Sequence, residues 1–263
     1  MPMAQVDGGD LYYTRSGTGS PMVMLLPQSS GPLGVAPFID ALAETFTIIR
    51  YDQRGTGRSA PAPTPDAMTM AGRADEVIGL LDALGIERAH LCCHSTGCGI
   101  GLASVAANPD RVDGLVLASP WSHADGHLTT MQQLRIAAAR TLDPYQYAWF
   151  NASLLFPPAY RRAHEAGFER MATDAAPQDA EQIAGRLNAI LSFDTRPLTP
   201  KITCPTLIVT GADDQLMPAW FGSDLAQRIS GSRLVALEGG GHMLPETRGD
   251  DLAAAIQEFL AAL

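Results

Sequence analysis

Ala89-His90-Leu91-Cys92-Cys93-His94-Ser95-Thr96-Gly97-Cys98-Gly99 is the stretch whose reading decides the fold. An apolar run ends at Cys93, and a helix of small residues, carrying Gly97, Gly99, Gly101 and Ala103, begins after Ser95. A serine at so sharp a strand-to-helix turn is held in a strained backbone conformation, with its Oγ thrust above the sheet. The turn accepts only compact side chains two residues before and two residues after the serine, because strand and helix nearly touch there. Gly97 meets the second requirement. Cys93, compact though not glycine, meets the first. The competing reading is an ordinary serine at a helix N-cap.

A serine hydroxyl is a weak nucleophile until a base removes its proton. Of the six histidines, His242 stands apart. It sits in Glu238-Gly239-Gly240-Gly241-His242-Met243, directly after the strand-like Arg233–Leu237, and three glycines allow the sharp turn that presents an imidazole over a sheet. His123, His127 and His164 read as solvated, and His90 as structural. The base in turn needs a carboxylate to fix its tautomer and stabilise the imidazolium. Gly211-Ala212-Asp213-Asp214-Gln215-Leu216-Met217-Pro218 follows another strand, Pro205–Thr210. Asp214 is the favoured acid there, with Asp213 as the fallback. In a parallel sheet all strand C-termini share one edge, where such folds build their sites. Ser95, Asp214 and His242 each follow a different strand at that edge.

Attack on a carbonyl produces an oxyanion that needs preorganised donors. One is expected from the backbone N–H of Thr96, at the start of a helix. The other is expected from Pro27-Gln28-Ser29-Ser30-Gly31, the loop after Met22–Leu26. Pro27 has no N–H, so Ser29 is the first choice and Ser30 the alternate. Trp121, Ser30 and Met243 are expected to line a substrate pocket. Other motifs read as structural. Gly97-Cys98-Gly99-Ile100-Gly101 lacks the spacing and the downstream acid of a dinucleotide fingerprint. Asp52 and Arg54, in Tyr51-Asp52-Gln53-Arg54-Gly55-Thr56-Gly57-Arg58-Ser59, read as a buried ion pair bracing a loop. Cys92, Cys93, Cys98 and Cys204 make a poor disulfide framework. Cys92 and Cys93 point to opposite faces of a strand and are poorly placed to share a metal.

Leu11–Arg15 alternates weakly after the turn signal Asp7-Gly8-Gly9-Asp10 and reads as a strand, and the apolar runs Thr47–Tyr51 and Leu115–Ala118 read as strands covered on both faces as parallel strands are. Between them lie helical patterns. Met70–Leu84 places Ala74, Val77, Ile78, Leu81 and Leu84 on one stripe; Leu252, Ile256, Phe259, Leu260 and Leu263 form another. This alternation predicts an α/β fold with a mainly parallel, doubly wound sheet. Residues 1–120 and 197–263 read as its core, and 121–196 as an inserted helical cap. In the cap Met131, Leu134 and Ala138 share a face, Asp143-Pro144 opens a helix over Tyr145–Leu155, and Pro177 opens another carrying Ile183, Leu187, Ile190 and Leu191.

The length of 263 residues suits one α/β domain, since such folds often run to about 250. Hydrophobic residues at 46% can bury a large core, and charged residues at 17%, below the usual ~25%, argue against disorder. A net charge of −10 with no basic run excludes nucleic acid and anionic membrane as expected partners. The longest apolar stretches fall far short of the ~20 residues of a membrane-spanning helix. Met1–Asp7 lacks a basic region followed by an apolar core, so the expected compartment is the cytoplasm.

Taken together, the chain resembles the α/β-hydrolases over nearly its whole length. The resemblance rests on Tyr51–Gly57, the Ser95 elbow, Gly211–Pro218, Gly241-His242, and the chain order Ser, Asp, His. Within that superfamily it is most similar to the aminoacrylate (carbamate) hydrolases of bacterial pyrimidine degradation and to the 3-oxoadipate enol-lactonases. Leu154-Leu155-Phe156-Pro157, Arg186-Leu187-Asn188-Ala189 and Ile202-Thr203-Cys204-Pro205 carry the likeness to the former. Pro27-Gln28 replaces the usual His-Gly before the oxyanion loop, and Cys93 replaces the elbow's first glycine. The resemblance implies a Ser–His–Asp triad and a small-molecule substrate. The expectation is therefore a serine hydrolase of a small ester, lactone or carbamate-like compound, with no metal or organic cofactor and a possible homodimer. C–C bond hydrolysis, amide hydrolysis and a slow-turnover ligand receptor are the alternatives on the same scaffold.

Overall fold

The computed structural model describes residues 2–26, 31–62 and 69–263. Its strands are β1 (Met3–Ala4), β2 (Leu11–Ser16), β3 (Ser20–Leu25), β4 (Phe46–Tyr51), β5 (Ala89–His94), β6 (Val112–Ala118), β7 (Thr206–Gly211) and β8 (Arg233–Leu237). They form one sheet in the order β1-β2-β4-β3-β5-β6-β7-β8. β1 and β2 pair antiparallel at one edge, and every pairing from β4 to β8 is parallel. The helices are α1 (Ala36–Ala43), α2 (Met70–Ala83), α3 (Thr96–Ala107), α4 (Gly126–Thr141), α5 (Pro144–Leu155), α6 (Pro158–Ala163), α7 (Glu165–Thr173), α8 (Ala180–Leu191), α9 (Ala219–Arg228), α10 (Leu244–Thr247) and α11 (Gly249–Ala261). Among the described residues no helix is long and apolar enough to cross a membrane.

The central strands are apolar throughout because both faces are covered. Val23, Leu25, Leu91, Cys93, Leu115 and Leu117 face one core with α2 and α3. Their neighbours Met22, Met24, Cys92, Val116 and Ala118 face the other, with α1 and α11. Cys92 and Cys93 therefore lie in different layers, as the strand period of two requires. Burial pushes the Cys92 thiol up to about 12.

Helices α4 to α8 lie between β6 and β7. Local chemistry sets their ends. Asp143 caps α5 by accepting from the Gln146 N–H at 2.8 Å, with Pro144 in the first turn. Pro177 does not open α8; the helix starts three residues later, where Asp179 accepts from the Gln182 N–H at 2.9 Å. The expected apolar face of α4 is also corrected. Leu134 is 54% exposed, and the buried side carries Leu128, Gln132, Ala138 and Ala139. Nor do Asp52 and Arg54 form an ion pair. Arg54 donates to the carbonyls of Asp7 and Gly9, and Asp52 accepts from the Arg58 N–H, so side-chain-to-backbone bonds brace that loop.

Two contacts fix the region where β5 meets α3. A Cβ on Gly97 would lie 2.1 Å from the carbonyl oxygen of Leu25, so only glycine lets α3 approach β3 this closely. The Trp121 ring packs where α3 presents Gly99, beside Met70, and is wholly buried; its Nε1–H donates to the Phe193 carbonyl at 3.4 Å. Trp121→Ala should lower unfolding free energy by about 3–5 kcal/mol in urea denaturation, as expected for removing a large buried side chain.

His94, the last residue of β5, is buried, and its Nε2–H donates to the His242 carbonyl at 2.7 Å. Burial, and next the adjacent His242 imidazole, push its pKa down from 6.5 to about 3. Between those values the unfolded chain binds a proton that the folded chain refuses, so stability is full above pH 6.5 and is lost as pH falls toward 3. In denaturation measured across this window, His94→Gln should flatten the pH slope by one proton, roughly 1.4 kcal/mol per pH unit.

Candidate active site

Ser95 lies between β5 and α3 with φ 53° and ψ −120°, a left-handed conformation that a side-chain-bearing residue rarely adopts. Its N–H donates to the Ala118 carbonyl at 3.0 Å, and its carbonyl accepts from the Cys98 N–H at 2.8 Å. These bonds hold the strained turn from both sides. His242 follows β8 through Gly239, Gly240 and Gly241, all at positive φ. The loop is then tied down at every polar backbone atom of His242. The His242 N–H donates to the Leu155 carbonyl at the end of α5 at 3.0 Å, and its carbonyl accepts from His94 and from Ser119 Oγ.

The three side chains converge. Ser95 Oγ lies 2.8 Å from His242 Nε2, and His242 Nδ1 lies 2.8 Å from Asp214 Oδ2. Asp214 is buried, and its other oxygen accepts from the N–H groups of Leu216 and Met217 at 2.9 and 2.8 Å. With that oxygen occupied, Oδ2 is directed at the imidazole. Asp213, the fallback acid, points elsewhere; it accepts from the Gly241 N–H at 2.7 Å and so braces the histidine loop. A carboxylate on Nδ1 fixes the proton there and leaves Nε2 free to accept from the serine.

Thr96 is the first residue of α3, so its N–H belongs to the helical turn that lacks intrahelical acceptors. Ser29 and Ser30 lie outside the described residues. The following segment is anchored. The N–H groups of Gly31 and Leu33 donate to the Glu246 carboxylate, which also accepts from Tyr160 Oη at 3.0 Å. Burial and Glu246 raise the Tyr160 phenol well above its usual range, so it remains a donor.

A cavity of about 790 Å³ opens over the sheet edge. Ser95, Thr96, His242 and Met243 line it from the sheet side, and residues of α4 and α8, with Phe193, line it from the other. Met243 faces this cavity. Trp121 does not: it is absent from the lining and wholly buried beneath it, because the small residues of α3 leave a slot that its ring fills. Four more aromatic residues of 121–196, Trp149, Phe156, Tyr160 and Phe168, pack in a cluster that includes Met243. Sequence reasoning also missed Ser119 and His94 as supports of His242. Their signal was position alone, at the ends of β6 and β5.

Known proteins share this arrangement of fold. The sequence profile of the alpha/beta hydrolase fold matches residues 26–248. A relative from Caulobacter sp. (strain K31), named "Putative carbamate hydrolase RutD", is 32% identical over 99% of this chain and 98% of its own. The crystal structure of the enol-lactonase from Burkholderia xenovorans LB400 superposes with a TM-score of 0.84 at 29% identity, covering 99% of this chain and 100% of that one. A hydrolase from Pseudomonas aeruginosa PA01 gives 0.81 at 30% identity, with 98% and 97% covered. The profile match spans most of the sequence, and the chain belongs to the α/β-hydrolase fold family.

Proposed function

We propose that this α/β-hydrolase cleaves a small carboxylic ester, lactone or carbamate-like substrate through an acyl-enzyme on Ser95. The observation that carries the reading is the unbroken hydrogen-bond chain from Ser95 Oγ through the His242 imidazole to Asp214, opening on the cavity. The names of the Caulobacter relative and of the Burkholderia lactonase support the substrate range.

Ser95 Oγ attacks the substrate carbonyl while His242 Nε2 takes its proton. The carbonyl π-bond becomes an oxyanion, held by the N–H of Thr96 and, from the loop after β3, that of Ser29. The oxyanion collapses, the bond to the leaving oxygen or nitrogen breaks, and His242 returns the proton to it. In a lactone that group stays tethered to the acyl chain. Water then enters, gives a proton to His242 and attacks the ester on Ser95; collapse releases the acid and reprotonates Ser95. Asp214 remains ionised throughout and stabilises the imidazolium. Met243, in the cavity lining, is assigned to the substrate pocket.

A fluorophosphonate probe should add its phosphonyl group to the peptide containing Ser95, with no adduct in Ser95→Ala. Folded wild-type protein that stays unlabelled while binding a small molecule would instead indicate a receptor. Asp214→Asn, which leaves the wrong imidazole tautomer, should lower kcat on p-nitrophenyl acetate about 10⁴-fold. Asp213→Asn should leave far more activity, because it contacts only the loop.

A further inference from the structure

Glu246 lies four residues after His242, on α10, and takes no part in the proton transfers. It is half-buried, and its carboxylate is engaged from two sides. On one side the N–H groups of Gly31 and Leu33 donate to it, the second at 3.1 Å. On the other, Tyr160 Oη of α6 donates at 3.0 Å. Arg248, two residues on, does not pair with it, being taken up by Asp251 at 2.7 Å. The charge is therefore held by three hydrogen-bond donors, and such charge-assisted bonds are shorter and stronger than neutral ones.

Each partner is fixed in turn. A Cβ on Gly31 would lie 2.5 Å from Glu246 Oε1 and 2.6 Å from the Phe156 ring, so this position admits only glycine. The Phe156 ring stacks on Tyr160 with centroids 5.5 Å apart and packs in the cluster that holds Met243. The Glu246 N–H donates to the Met243 carbonyl at 2.9 Å, which places the carboxylate one short turn from the catalytic base. Gly31 stands two residues beyond Ser29, whose N–H is assigned to the oxyanion. One carboxylate thus refers the residue just beyond that donor, the base and α6 to a common point. Donors serve the transition state only within about 2.7–3.1 Å of the oxyanion. A displacement of about 1 Å can cost about a hundredfold in rate.

We propose that Glu246 is a positioning residue for transition-state stabilisation. Its carboxylate holds Gly31 in fixed relation to His242, so that the donor preceding Gly31 meets the oxyanion formed on Ser95, and Tyr160 completes the hold from α6. This rests on the acyl-enzyme reading at Ser95 and adds to it a residue outside the cavity lining.

Turnover of p-nitrophenyl acetate by Glu246→Gln tests it. The amide keeps the shape, but its nitrogen cannot accept a bond. A misplaced donor weakens the oxyanion more than the neutral carbonyl of bound substrate, so kcat should fall about ten- to hundredfold with KM within about twofold. Acylation and deacylation both pass through an oxyanion, so the fall is expected whichever step limits. An aryl trifluoromethyl ketone takes Ser95 Oγ onto its carbonyl carbon as the serine proton passes to His242, and so becomes a hemiketal oxyanion. Its affinity should fall by the same factor as kcat. Tyr160→Phe, which removes one donor of three, should lose about three- to tenfold in both. Unchanged kcat in Glu246→Gln, a loss confined to KM, or a ketone affinity that does not follow kcat overturns the proposal. Equal losses in Asp251→Asn, which disturbs the neighbouring helix without touching Glu246, also overturn it, since Glu246 is then merely structural. If Glu246→Gln does not fold, the same two readouts on Tyr160→Phe decide. Full kcat in Ser95→Ala would instead refute the acyl-enzyme reading. Lost turnover in Ser95→Ala beside an unaltered Glu246→Gln refutes this inference alone.

Discussion

A single hydrogen bond of 2.8 Å between Ser95 Oγ and His242 Nε2 closes a loop of 147 residues. Nothing local could hold its two ends together. What does so is the parallel register of β5, β6, β7 and β8, which brings the C-terminal ends of three strands to one edge. The register in turn depends on two apolar layers, one on each side of the sheet, and on α3 lying close enough to β3 that Gly97 cannot carry a side chain. The strained backbone of Ser95 is the cost of that approach, and the bonds to Ala118 and Cys98 sustain it.

The histidine is held more firmly than its glycine-rich loop suggests. Asp213 binds the Gly241 N–H, Leu155 of α5 accepts from the His242 N–H, and two buried side chains, His94 and Ser119, donate to the His242 carbonyl. The imidazole is thus referred to the sheet and to the helices between β6 and β7 at once. Glu246 makes a similar junction, joining Gly31 and Leu33, which precede α1, to Tyr160. Displacement of those helices would therefore be felt at both the base and the loop beside it.

The parts of this arrangement that rest on local signals were legible in the sequence. Short apolar runs ending in glycine-bearing turns marked the strands, and their spacing placed Ser95, Asp214 and His242 on one edge. The sequence favoured Asp214 but kept Asp213 as a fallback, because adjacent residues differ only in direction, and the direction of Asp214 is fixed by the Leu216 and Met217 N–H groups. The helices over the cavity misled for a different reason. An apolar stripe marks the side of a helix that meets an apolar core, but α4 turns Gln132 inward and Arg135 to the cavity while leaving Leu134 in solvent. Trp121 failed similarly. An aromatic residue after a strand end can face a pocket or fill the floor under it, and only the slot left by Gly99 decides.

The central claim, that Asp214 and no other acid orients the imidazole between it and Ser95, is most directly tested by proton NMR of the histidine ring. In wild-type protein the proton between His242 Nδ1 and the Asp214 carboxylate should give one strongly downfield resonance, absent in His242→Gln and Asp214→Asn and kept in Asp213→Asn. A resonance that survives Asp214→Asn, or disappears only in Asp213→Asn, would contradict the account.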